Sequence, residues 1–192
     1  FQLTVGKTMN NIESGYNSTY KWLHWTIGFI AITMLIFGSG LESLPLNERQ
    51  KLIMGHSGLG TLVLLLMIVR LGWRLTHRPP PLIDSTPKWQ VHLSKSVHWS
   101  LYALLLAQPI FGILQAMYIS DYDIIAFGLI NYSEFAQGNA RKAQFFHALH
   151  GANATIISIL VIIHVLAALY HHFFQKDNVL RRMLPGNKSK SL

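Results

Sequence analysis

Residues 150–164, HGANATIISILVIIH, begin and end on histidine and carry almost nothing but apolar side chains between them. Read as α-helix, fourteen steps of 100° return the second histidine to within about 40° of the first, and the helix climbs about 21 Å between them. A stretch this apolar belongs in hydrocarbon, where an imidazole is costly to bury and usually carries function. One helix would thus present two imidazoles on one face, at two depths in a membrane.

Working outward, three more apolar runs are long enough to cross about 30 Å of hydrocarbon. They cover about 22–41, 52–75 and 97–118, and the run containing the two histidines covers about 146–174. Of the 192 residues, 51% are hydrophobic and 12% charged. Those proportions are too apolar for a soluble domain of this size. The expected fold is an all-α membrane protein, a four-transmembrane-helix bundle. It divides into a polar segment 1–19, a single domain 20–176 and a basic tail 177–192. Met9 reads as a candidate start, with 1–8 ahead of it. The first run is long and lacks a small-residue cleavage site, so it reads as a retained span and not a signal peptide. Pro109 should bend or loosen the third helix.

The net charge is +8, and its distribution sets the topology. Lys7, Lys21, Arg70, Arg74, Arg78, Lys88, Lys95, Lys176, Arg181, Arg182, Lys188 and Lys190 fall on the side shared by both termini. Arg49, Lys51, Arg141 and Lys142 fall on the other. The positive-inside rule then puts both termini in the cytoplasm. The basic excess serves topology and anionic lipid. No folded basic surface remains for nucleic acid.

Orientation converts sequence position into depth. His24 lies on the inner side of the first helix and His56 on the outer side of the second. His150 and His164 lie outer and inner on the fourth. Two pairs match in depth, His56 with His150 outside and His24 with His164 inside. Each of the four is followed at i+4 by a small residue, namely Gly28, Gly60, Ala154 and Ala168. A flat porphyrin edge needs that space. His98 is followed by Tyr102, His171 by Gln175 and His172 by Lys176; His77 and His92 read as lying in the polar middle loop. His147, with Gly151 at i+4, is the serious rival to His150, but seventeen residues put it about 100° off the face of His164.

A single histidine in an apolar helix is more often a hydrogen-bonded packing residue than a ligand. Four residues meeting both tests point instead to two six-coordinate haem irons. Zinc would require ligands converging within a few Å, not pairs at two depths. The chain has no cysteine, which excludes thiolate-held clusters and covalent haem attachment, so the haems are expected to be b-type. Arg70, fourteen residues after His56, shares its face at inner-haem depth and is read as a propionate partner. Arg74, a turn lower, is read as snorkelling to lipid heads. Tyr170, His171 and His172 end the fourth helix beside the inner pair and are candidates for hydrogen bonds and protons to a quinone; interfacial residues would look the same. Trp22 and Trp25 read as interfacial anchors.

The chain resembles the bacterial cytochrome b-561 family of small di-haem membrane proteins, of which superoxide oxidase is a member type. The resemblance rests on His24-Trp25, on His56 with Gly60, and on Ile68-Val69-Arg70-Leu71 followed by Arg74-Leu75 and Pro79-Pro80-Pro81. It continues through Ala126-Phe127-Gly128-Leu129, the His150/His164 pair, and His171-His172 running into Lys176-Asp177-Asn178. The resemblance implies haem ligation by His24, His56, His150 and His164. It also implies transfer of electrons from superoxide at the outer face to ubiquinone, with release of dioxygen. The outer loops carry five acidic residues (Glu42, Glu48, Asp121, Asp123, Glu134) against four basic ones. Arg141 and Lys142, beside His147, are then the candidate entry patch for the superoxide anion. The alternatives are a cytochrome b subunit passing electrons between quinone and a redox protein partner, and a membrane anchor without redox chemistry.

Overall fold

The structure, a computed structural model, describes residues 15–77, 79–80 and 87–186. Lys7, Arg78, Lys188, Lys190, most of the segment 1–19 and the end of the tail lie outside the described residues. Four long helices dominate: α1 (Ser18–Gly38), α2 (Leu46–Thr76), α3 (Lys88–Tyr118) and α4 (Ala140–Tyr170). All four are long and apolar enough to cross a membrane. Their outward faces are the faces of a lipid-embedded bundle. Phe29 is 74% exposed, Phe37 72% and Leu166 60%, a surface that water would not tolerate over this extent. Interior packing is correspondingly narrow. Leu23, Ile27, Val63, Met67 and Tyr102 form a buried cluster shared by α1, α2 and α3.

The helices outrun the apolar runs that announce them. α2 begins at Leu46 and α3 at Lys88, so His92 sits in the first turns of α3 and not in a loop. α4 begins at Ala140, six residues ahead of its apolar run. Hydropathy detects the part of a helix that must lie in hydrocarbon, and polar turns beyond it leave no such signal. Capping marks the true ends: Asn17 Oδ1 accepts from Tyr20 N, and Asn139 Oδ1 accepts from Lys142 N.

The start of α1, the end of α2, the start of α3 and the end of α4 share the proximal end of the bundle. The distal end is closed by residues 119–139, which the sequence suggested only as a loop. Strands β1 (Ile125–Ala126) and β2 (Ile130–Asn131) pair antiparallel. Phe127 and Gly128 make the turn with φ of 53° and 67°, both in the left-handed region that hairpin turns demand. This hairpin packs inward. Ile124, Ala126 and Tyr132 are buried, and the Tyr132 hydroxyl meets Thr61 Oγ1 at 2.7 Å. Gly58 of α2 receives the Phe127 ring so closely that a Cβ there would stand 3.2 Å from it.

Tyr132→Phe removes the hydrogen bond between the cap and Thr61 of α2. It should lower stability by about 1 kcal/mol, read as a lower midpoint of thermal unfolding in detergent.

Candidate functional site

Each pair of depth-matched histidines meets across the bundle. The His56 and His150 rings are 6.0 Å apart centre to centre, and those of His24 and His164 are 6.1 Å apart. Two imidazoles trans across one metal, at about 2.0 Å per metal–nitrogen bond and about 1.1 Å from nitrogen to ring centre, stand about 6 Å apart. Both spacings fit a metal between the rings.

At the distal pair the fit extends to the proton. Two carbonyls of α3 next to Pro109 are met by side chains of α4. His150 Nδ1 lies 3.0 Å from Gln108 O, and Asn153 Nδ2 lies 3.0 Å from Leu104 O. A carbonyl only accepts, so His150 Nδ1 carries the proton and Nε2 keeps its lone pair. That is the tautomer a metal ligand requires. Asn153 Nδ2 also donates to Gln108 Oε1 at 2.6 Å, and Gln108 Nε2 donates to His150 O at 3.2 Å. Buried Asn153 and half-buried Gln108 thereby fix α3 against α4 beside the histidine.

His56 and His150 open into a cavity of about 720 Å³, within the usual range for cofactor sites. Gly60 and Ala154 line it, together with His147, Asp121 and Arg49. Two glycines that no spacing rule singled out stand closer. A Cβ on Gly112 would lie 3.1 Å from His150 Cε1, and one on Gly38 3.3 Å from His56 Cε1. They give the rings room to turn into the cavity. Gly28 has nothing within 4 Å of its Cβ direction.

The proximal pair is more crowded. His98 brings its ring to 5.5 Å from His164, although the bulky Tyr102 after it had set it aside. Matching His98 by depth alone would have found it. Arg70 Nη2 lies 3.1 Å from His24 Nδ1, and Arg70 Nε donates to the Tyr102 hydroxyl. A guanidinium only donates, so in this arrangement His24 Nδ1 accepts. Metal ligation by His24 Nε2 requires Arg70 to let go of that ring. Arg74 does not reach away from the bundle; its guanidinium lies over the Trp99 and Tyr102 rings at 4.9 and 5.1 Å.

The softer candidates divide. Tyr170 ends α4 and stacks on Phe174, within a π-helical turn over His171–Gln175. His171 Nδ1 lies 2.5 Å from Asp177 Oδ2, a partner that apolar patterning could not signal. His172 Nδ1 is buried with no hydrogen-bond partner among the described residues. At the distal end Arg141 and Lys142 are exposed, and neither lines the cavity. Lys142 Nζ instead sits 4.8 Å over the Tyr118 ring. His147 does line the cavity, with Gln115 Nε2 3.3 Å from its Nδ1. The basic side chain that reaches the cavity is Arg49.

Paired histidines inside a lipid-facing bundle of four helices define a membrane cytochrome of the b type. Residues 15–186 match the family model described as prokaryotic cytochrome b561. The chain is 32% identical over 180 residues to cytochrome b561 homolog 1 of Escherichia coli (strain K12), covering 90% of this chain and 98% of that protein. It is also 32% identical over 176 residues to a Yersinia pestis protein named "Probable superoxide oxidase CybB", covering 90% and 97%. Cytochrome b562 of Cereibacter sphaeroides is 29% identical over 178 residues, covering 90% and 96%. The chain belongs to the prokaryotic cytochrome b561 family, whose members are b-type electron-transfer cytochromes of the membrane.

Gly112→Val puts branched carbon where the His150 ring stands and should turn that ring off Gln108 O. Purified protein should then hold less haem b per chain, measured by the absorbance of its pyridine haemochrome.

Proposed function

We propose that the protein holds two b-type haems, one between His56 and His150 and one between His24 and His164, and oxidises superoxide at the expense of ubiquinone. The observation that carries this reading is the pair of ring spacings, 6.0 and 6.1 Å, at the two ends of one helix. His56 with His150 and His24 with His164 would hold the haems, which would supply one-electron transfer. The positive-inside rule supports placing both termini in the cytoplasm and the distal cavity on the outer side of the inner membrane. His24 and His164 then lie toward the cytoplasm.

Two superoxide anions each lose one electron and leave as dioxygen. One ubiquinone gains those two electrons and two protons and leaves as quinol. The name of the Yersinia pestis relative supports superoxide as the donor. His147 at the cavity supplies a hydrogen-bonding group for an anion's approach, with Arg141 and Lys142 on the exposed first turn of α4 adding a local positive field. Tyr170, His171 and His172 lie beyond the inner pair at the lipid boundary, where a quinone travels. The Asp177 carboxylate meets His171 Nδ1 and so orients that ring at the boundary.

A second reading has one observation in its favour. Asp121, Asp123 and Glu134 are exposed on the distal cap, an acidic surface on which a basic redox protein could dock. Stopped-flow mixing of oxidised protein with superoxide decides between them. Fast haem reduction, reversed by added ubiquinone, is expected. Haems that stay oxidised with superoxide, yet are reduced by quinol, would move the protein to the partner-dependent class.

The ligand assignment has its own test. His56→Ala and His150→Ala should each lose the same haem, and His24→Ala and His164→Ala the other, halving the haem per chain. His98→Ala should retain both haems.

A further inference from the structure

Arg49 lies seven residues before His56 on α2. Seven steps return the side chain to within about 20° of the same face, about 10 Å nearer the outer end. It lines the same cavity as His56 and His150, and its Nε is buried with no hydrogen-bond partner among the described residues. A guanidinium keeps its charge at any physiological pH. A guanidinium N–H kept from water without an acceptor is unfavourable, so the position calls for one. Asp121 lines the same cavity, yet no ion pair joins it to Arg49 among the described residues. A guanidinium two turns outward of an axial ligand, on that ligand's face, stands where a carboxylate arm on the edge of the macrocycle can reach it. The fork geometry of arginine suits a carboxylate in bidentate contact.

We propose that Arg49 binds a propionate of the outer haem. The proposal rests on the di-haem reading above. An anionic oxygen at Arg49 could instead come from a small anion such as superoxide, or from a lipid phosphate, and the experiment separates these sources.

The test is a potentiometric titration of the wild type, Arg49→Gln and Arg49→Lys, with resonance Raman spectra of the propionate-bending band. The outer haem is identified as the redox wave missing from His150→Ala. Removing a cation beside the haem favours the oxidised iron. In Arg49→Gln the reduction equilibrium of the outer haem should fall about tenfold, about 59 mV for one electron, and its propionate band should shift. Arg49→Lys should recover part of both changes. Loss of the outer haem from Arg49→Gln but not from Arg49→Lys would equally support the pairing. An unchanged potential overturns it, whether superoxide oxidation slows (a small anion) or salt and lipid effects alone change (a phosphate). A lower potential with an unshifted propionate band overturns it as well, as does equal loss of the haem from both variants. A wild type that holds one haem b per chain would instead fail the di-haem reading, whatever Arg49 does.

Discussion

One helix carries an imidazole for each of two histidine pairs, and the neighbours of α4 are arranged around that constraint. Between His150 and His164 the backbone must stay α-helical without a break, because any irregular turn would expose unpaired N–H and C=O groups to lipid and would also rotate one histidine off its partner. α1 and α2 then each supply one ring, at opposite depths, because they run in opposite directions. The 6.0 and 6.1 Å ring spacings follow from three helix axes held at ordinary packing distance with small residues beside the rings.

The irregularity that the design requires is moved to α3, which brings no ligand to the distal pair. Pro109 removes a backbone donor there, and α4 supplies side-chain donors to Leu104 O and Gln108 O. The contact between His150 Nδ1 and Gln108 O sets the tautomer of that histidine. Such a carbonyl partner raises the basicity of the ring and holds its plane. At the proximal end the contact runs the other way: Arg70 donates to His24 Nδ1 and to the Tyr102 hydroxyl, with Arg74 stacked beside them. The two ends differ accordingly, one governed by backbone carbonyls and one by guanidinium groups.

The distal cap adds the third element. A hairpin with two consecutive left-handed residues folds over the cavity and seats Phe127 on Gly58 and Tyr132 on Thr61. It covers the apolar part of the cavity, while Arg49, Asp121 and His147 line it as well. Access to the site is thus bounded by polar groups from α2, α4 and the cap.

By sequence alone the four spans, the pairing of the histidines by depth and the small residues at Gly60 and Ala154 were legible. Each is set by a period or a length: 20 apolar residues to cross the hydrocarbon, 3.6 residues per turn to hold a face. What remained hidden depended on contacts between helices. The lateral rotation of α3 brings His98 to His164 and Gly112 to His150, and it turns Gln108 O toward His150; no periodicity within α3 encodes its phase relative to α4. Asp177 meets His171 only because a π-helical turn and the left-handed Lys176 bring the chain back. Arg49 was visible as one charge on the outer side, but its buried Nε and its place beside His56 needed the cavity itself. Length and period are properties of one helix and can be read from its residues. Partners, tautomers and cavities belong to the packing of several, and only the tertiary structure decides them.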